Sequence, residues 1–239
     1  MAVISRLRET VAEVRSRILS VPREEFKIAL ACCYLFAARS CEIVGVKSPS
    51  DRTTPYGPRG DDAWLDTYNH NGAEVKAAVF RLRTAKRQGM ERFVALPLDP
   101  AYEPLTERIF RYFSERRGKI CFPFTRQALH SYASSAFAGI RYAIEPYGSV
   151  RQHERDAALH FLRHLRASEL AQVYGITGMN LAAYGGWSLK SAGMSSSMMR
   201  YQMLSWQSYF PLLLKPSPYP LPDEGVGKAP TKFTVSAKV

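Results

Sequence analysis

The sequence predicts an α+β fold that is predominantly helical and has one small antiparallel sheet. Apolar residues recur at helical spacing in most segments, as at Leu7, Val11 and Val14 near the start of the chain. Two runs of strand character, EVKAAVFRLR and ERFVALPL, flank the basic turn TAKRQGM. A hairpin set between helical segments is typical of the α+β class.

Two helices are predicted before the hairpin. The first covers residues 4–19, where charged residues separate the apolar positions. Pro22 and the two glutamates that follow it are typical of a helix start, and we expect this second helix to run to about Ala38. Residues 47–73 are rich in Pro, Gly, Asp and Thr, so they are expected to form a long loop.

Four more helices are predicted after the hairpin. PLTERIFRYFSERRG ends on a glycine, and TRQALHSYASSAFAGI begins with Thr125, which suits an N-cap. A long helix is expected over residues 152–174, closed near Gly175, and a further one over SSSMMRYQMLSWQSYF. From residue 215 the composition changes to Pro, Lys and Ser, which predicts a flexible tail over residues 215–239 after a domain over residues 1–214.

The net charge of +12 over 239 residues is the strongest global signal. A surplus of this size favours an anionic partner, either nucleic acid or an anionic membrane surface. The four cysteines form no CxxC pair, which predicts buried reduced thiols and neither a metal site nor a disulfide framework. The first twenty residues are charged and the run IALACCYLFAA is too short to span a bilayer, so we expect a soluble intracellular protein without a signal peptide.

Four cationic side chains lie on adjacent turns of one predicted helix, in the segment LHFLRHLRASELA. They are His160, Arg163, His164 and Arg166. Such a cluster repels itself, so its partner is expected to be solvent, a structural carboxylate or a phosphate. Residues three apart share a helix face, so the side chains of His160 and Arg163 can converge.

Four further residues have both a structural and a functional interpretation. Arg39 follows an almost uncharged run and needs a partner, and Glu42, three residues on, either forms a simple helix pair with it or holds it toward a phosphate. Lys86 on the hairpin tip is either an ordinary exposed lysine or a functional one. Trp187 and Tyr201 suit the core, although the indole of Trp187 could donate to an anionic oxygen.

The order of these segments resembles that of the tyrosine recombinases, the family of phage-type integrases and Xer-like resolvases. LFAARSCEIVGVK is similar to the first arginine box, RTAKRQGMERFVALPL to the hairpin with its lysine, and CFPFTRQALHSYASSAFAGI to the Phe-Pro stretch and its helix. HFLRHLRASELA resembles the His-x-x-Arg-His box, AAYGGWSL the box that carries His or Trp, and SMMRYQML the segment with the nucleophile. The resemblance extends from about Glu25 to Leu204.

The resemblance implies a tyrosine-recombinase catalytic fold and a site-specific DNA recombinase or integrase that works through a covalent 3′-phosphotyrosyl intermediate. The implied catalytic residues are Arg39, Lys86, His160, Arg163, Trp187 and the nucleophile Tyr201, with Glu42 and His164 in support. This chemistry needs no nucleotide cofactor and no metal ion. The implied partners are double-stranded DNA and further copies of the chain, as a dimer or tetramer on DNA. The implied setting is a mobile genetic element of prokaryotic or viral origin, with a cytoplasmic, nucleoid-associated protein.

Two features depart from the family pattern. Trp187 and Tyr201 are fourteen residues apart, a longer spacing than is usual, so Tyr184 and Tyr209 compete for the role of nucleophile. We prefer Tyr201 for its Arg-Tyr context. Only about twenty residues precede the first matched helix, so this sequence is expected to hold no separate N-terminal core-binding domain of the kind that full family members carry. It is either a catalytic domain cut from a longer protein or a naturally minimal version.

Three alternatives stay open from the sequence. A type IB topoisomerase shares the phosphotyrosine chemistry. A DNA-binding protein of the same fold could lack the activity. An unrelated basic helical protein could bind RNA or a membrane surface.

Overall fold

The structure, a computed structural model, describes residues 7–52, 55–84, 91–144, 153–187 and 205–219. Within these ranges the protein is α+β, with eight α-helices, a three-stranded antiparallel sheet and a separate two-stranded hairpin. The helices are α1 Leu7–Leu19, α2 Glu24–Leu35, α3 Ser40–Ile43, α4 Thr106–Ser114, α5 Arg126–Ala136, α6 Leu159–Gln172, α7 Gly178–Gly185 and α8 Phe210–Leu213. The strands are β1 Ala63–His70, β2 Ala73–Arg83, β3 Glu91–Pro97, β4 Arg141–Ile144 and β5 His153–Asp156.

The predicted hairpin forms two of the three strands of the main sheet. Strands β2 and β3 pair antiparallel with Arg83 opposite Glu91. Residues 85–90, which include Lys86, lie outside the described residues. The sheet order is β1-β2-β3, so β3 is an edge strand whose outer backbone groups need partners.

Strand β1 corrects the prediction of a loop over residues 47–73. It pairs with β2 through a two-residue turn at Asn71 and Gly72, whose φ angles of 53° and 84° suit a hairpin turn. The strand is largely exposed, and its polar residues hide the period of two. The Asn-Gly pair was the signal that would have found it.

The helices agree with the predictions where local signals are strong. Thr125 caps α5, because its Oγ1 accepts a hydrogen bond of 3.3 Å from the Ala128 backbone N–H. The helix predicted over residues 152–174 is wrong at its start, since residues 153–156 pair with 141–144 as β5 with β4. Helix α7 was not predicted.

The segment predicted as a last helix is not continuous where the structure describes it. Ser205 has an extended backbone (ψ 152°) and begins a 3-10 turn over Trp206–Ser208, and α8 follows. Residues 188–204, with Tyr201, lie outside the described ranges.

Helix α2 is buried on all sides and organises the core. It packs against α1, α4, α5 and α6, and nine of its twelve residues are buried. A helix that is apolar all round belongs inside a protein. The chain leaves α2 beside the middle of α6, and this brings the Arg39 turn close to the cationic cluster.

The C-terminal part of the described chain closes over the open edge of the sheet. Trp206, Phe210 and Leu213 are buried, and α8 lies on β3. Residues 215–219, the start of the expected tail, also contact the body: the Ser217 N–H donates to the Ala101 carbonyl at 2.8 Å and Tyr219 is buried. Removing residues 205–239 would therefore remove part of the core. None of the described helices is both long and apolar enough to cross a membrane.

Candidate active site

The turn between α2 and α3 presents Arg39. Ala37 has a φ of 46°, a left-handed conformation that costs a non-glycine residue about 1–2 kcal/mol. Arg39 is the N-cap residue of α3, and its backbone N–H donates to Glu42 Oε2 at 3.1 Å. Its Nη1 donates to Glu42 Oε1 at 2.9 Å. The predicted Arg39–Glu42 pair is therefore present, and it holds Arg39 at a fixed place on the surface.

Glu42 has a second partner that the sequence analysis did not identify. Arg92, at the start of β3, donates from Nη2 to Glu42 Oε2 at 3.1 Å. Its Nη1 donates to the backbone carbonyls of Phe36, at 2.9 Å, and of Tyr184. Arg92 thus connects the end of α2, the end of α7 and the carboxylate that holds Arg39. The signal was available, because a period of two puts Arg92 on the buried face with Val94.

The four cations of α6 have different surroundings. His160 is exposed, and its ring centroid lies 4.5 Å from that of His164. Arg163 is 2 % exposed, and it donates to the carbonyl of Ala37 and, at 2.8 Å, to that of Gly185. The cluster is therefore divided between a solvent-facing side and a buried side.

Arg166 has the structural carboxylate that was one of the expected partners. Its Nη1 donates to Glu169 Oε2 at 2.7 Å, and both side chains are buried. Tyr34 donates to the same carboxylate oxygen at 2.6 Å. A second buried pair, Arg15 with Glu103 at 2.5 Å, lies in the same region. Arg166 is thus part of the buried ionic core and not of a surface site.

The charge of Arg163 is not matched by a carboxylate of its own. Burial, together with the positive charges of Arg92 and Arg39, lowers its pKa from 12.5 to about 9, although Glu42 acts in the opposite direction. The guanidinium is therefore still protonated at neutral pH. An anion placed between Arg39 and Arg163 would offset this repulsion.

The Gly-Gly-Trp sequence allows the end of α7 to approach Arg92 of β3 and Arg163 of α6 closely. Gly186 ends α7 with a φ of 64°, and a Cβ at this position would lie 2.7 Å from Cδ of Arg92. A Cβ on Gly185 would lie 2.3 Å from the Trp187 ring. The ring itself lies 4.6 Å from the Arg163 guanidinium carbon, a cation–π contact. In this conformation Trp187 covers Arg163.

Arg39 and His160 line one cleft of about 510 Å³. The first turns of α5 form a further wall of this cleft, with Arg126, Gln127 and His130. The remaining lining residues are Ala38, Ser40, Cys41, Ala158 and Leu159, so no acidic side chain is among the described residues that line it. The cleft therefore suits an anion.

Two of the three candidate nucleophiles are structural. The Tyr209 hydroxyl donates to the Phe93 carbonyl at 2.9 Å and accepts from the Ala95 N–H at 3.1 Å. Tyr184 donates to the carbonyl of Leu35. Both tyrosines are buried, and burial raises the pKa of each hydroxyl above its ordinary value. Neither hydroxyl is available for attack in this conformation.

The structure brings Arg39, Glu42, Arg163 and Trp187 into one connected cluster, and His160 shares the cleft with Arg39. Lys86 and Tyr201 lie outside the described residues. Comparison with known proteins finds no matching family model, no similar curated protein and no similar solved structure. The function is therefore argued from the residues and contacts above.

Proposed function

We propose that this chain is a tyrosine recombinase catalytic domain, a DNA strand transferase that cuts and rejoins double-stranded DNA through a 3′-phosphotyrosyl intermediate. It would act without a nucleotide cofactor or metal ion, and as a dimer or tetramer on DNA. Its setting would be a mobile genetic element of prokaryotic or viral origin, in the cytoplasm and associated with the nucleoid.

One observation carries this proposal. Arg39 and Arg163 are 124 residues apart in the chain, yet Arg163 donates a hydrogen bond to the backbone carbonyl of Ala37, two residues before Arg39. This contact joins α6 to the turn between α2 and α3 that presents Arg39. Arg39 lines a cleft without acidic side chains among its described lining residues, and the buried Arg163 lies directly behind the turn that presents Arg39. Paired guanidinium groups suit the oxygens of a phosphodiester.

The described residues have distinct roles in this chemistry. Arg39, held by Glu42, would bind one non-bridging oxygen of the scissile phosphate, and Arg163 the other. Both charges would then stabilise the pentacovalent transition state, in which negative charge on these oxygens increases. His160, exposed in the same cleft, would accept the proton of the attacking hydroxyl.

The remaining roles fall on residues outside the described ranges. The Tyr201 hydroxyl would attack phosphorus, and the bond to the 5′-oxygen would break. Lys86 would donate a proton to that departing oxygen. The phosphotyrosyl bond replaces the broken phosphodiester bond at similar free energy. The 5′-hydroxyl of a second strand can therefore attack it, release Tyr201 and complete the exchange.

The burial of Arg163 favours a second candidate function. Its guanidinium donates to two backbone carbonyls and lies under Trp187, so a phosphate reaches it only after this turn moves. A protein that keeps this arrangement on DNA would bind the duplex and not cut it. The second candidate is therefore a catalytically silent DNA-binding protein of the same fold.

A nicked duplex separates the two candidates. The probe is a pool of duplexes with randomised arms, labelled at the 5′ end and nicked a few nucleotides downstream of the randomised region, so that the short released fragment diffuses away. The recombinase proposal expects an SDS-resistant adduct in the wild type that is lost in Tyr201→Phe and retained in Tyr209→Phe.

Each other outcome has a definite meaning. A shifted DNA band without adduct would favour the silent binder. An adduct that persists in Tyr201→Phe would overturn the choice of nucleophile. Relaxation of supercoiled plasmid without strand exchange between duplexes would identify a type IB topoisomerase activity instead.

A further inference from the structure

We propose that the α5 wall of the cleft, formed by Arg126, Gln127 and His130, binds a second backbone phosphate of the cleaved DNA strand, next to the scissile one. This inference rests on the proposed function for the identity of the scissile phosphate. The sequence comparison with the recombinase boxes gave no role to these three side chains. They face the same cleft as Arg39 and His160.

The charge of the wall supports an anionic ligand. Arg126 supplies a cationic group on this side and His130 a hydrogen-bonding ring. Asp51 pairs with Arg126 but is not among the residues that line the cleft. A DNA strand carries one phosphate per 3.4 Å of rise, so a neighbour of the scissile phosphate is always present. A cleft lined by Arg39 from one element and Arg126 from another therefore suits two consecutive phosphates.

The wall is held in place before any ligand binds. Arg126 Nε lies 2.8 Å from Asp51 Oδ1, and the arginine side chain remains 45 % exposed. Gln127 Oε1 accepts from Ser48 Oγ at 3.0 Å, and its Nε2 donates to Ser50 Oγ at 3.1 Å.

The loop that supplies these partners is itself fixed, since the Ser48 N–H donates to Asp51 Oδ2 at 2.9 Å. Preorganised side chains lose little conformational entropy on binding. The loop over residues 48–51 thus acts as a support for the α5 wall.

The test measures the salt dependence of affinity for a labelled duplex of random sequence. Removing one cationic side chain that contacts a phosphate makes the negative slope of log K against log salt concentration shallower by about 0.9. Arg126→Gln is expected to show this change. Gln127→Ala is expected to weaken binding without changing the slope, because an uncharged side chain releases no counterion.

Arg108→Gln is the matched control. Arg108 is also a half-exposed arginine paired with a carboxylate, that of Glu24 at 2.7 Å, but it does not line the cleft. Its loss should leave the slope unchanged. Thermal unfolding of each variant checks that the fold is intact.

The outcomes distinguish this inference from the proposed function. An unchanged slope in Arg126→Gln, in a protein that still forms the covalent adduct, would refute the second phosphate site and leave the recombinase proposal standing. If the wild type forms no adduct and Arg126→Gln still makes the slope shallower, the phosphate contact of Arg126 is supported and the catalytic function is rejected. Equal slope changes in Arg126→Gln and Arg108→Gln would show only a general effect of charge and would overturn the inference.

Discussion

Replacing Tyr209 by phenylalanine tests whether this tyrosine is structural or catalytic. Its hydroxyl joins the C-terminal segment to the edge strand β3, where it accepts from the Ala95 N–H at 3.1 Å and donates to the Phe93 carbonyl at 2.9 Å. Phenylalanine keeps the ring and removes both hydrogen bonds. The change therefore isolates the hydroxyl.

The expected loss of stability in Tyr209→Phe depends on the two backbone groups that lose their hydrogen-bond partner. The Ala95 N–H lies in the interior, and a buried unsatisfied donor costs about 1–3 kcal/mol. The carbonyl of Phe93 belongs to a residue that is 40 % exposed, so water can replace the tyrosine there. We expect the free energy of unfolding to fall by about 2 kcal/mol and the melting temperature by about 4–8 °C for a chain of this size.

The assay combines thermal unfolding with adduct formation on the nicked duplex pool. Tyr68→Phe is the matched control, since its ring packs 5.4 Å from that of Phe210 and no hydrogen bond of its hydroxyl occurs among the described residues. It should leave the melting temperature unchanged. A Tyr209→Phe protein with wild-type stability and no adduct would refute the reasoning and make Tyr209 the nucleophile.

Three further predictions concern the buried charges. In Arg92→Lys, a single ammonium cannot reproduce the forked contacts, so we expect an adduct rate about 100-fold lower with unchanged DNA affinity; a rate within twofold of wild type would show that Arg92 does not position the site. Glu169→Gln leaves Arg166 buried without a carboxylate, and urea unfolding should show a loss of about 3–5 kcal/mol; a loss under about 1 kcal/mol would contradict the buried pair. Because the charged form of Arg163 is lost above a pKa of about 9, the DNA affinity advantage of wild type over Arg163→Gln should be full at pH 7 and should shrink as pH rises from 8 to 10. A constant advantage over that range would mean that Arg163 stays charged.

The sequence by itself determined the features that depend on near neighbours. The helix over most of α1, the hairpin of β2 and β3 and the Thr125 cap follow from spacing, turn residues and a side chain that reaches three residues along the chain. The Arg39–Glu42 pair is local in the same sense. Such contacts form between adjacent turns of one segment, so the order of residues is sufficient to predict them.

Only the tertiary structure decided how the cationic side chains are used. Arg163 and Arg166 are three residues apart on α6, yet one lies beside the Arg39 turn and the other in an ionic core with Glu169. The period of two puts Arg92 on the buried face of β3, but its partners are Phe36, Tyr184 and Glu42, which come from distant segments. A charge becomes structural or available through the groups packed around it, and in a folded chain those groups come from distant positions that local spacing does not encode.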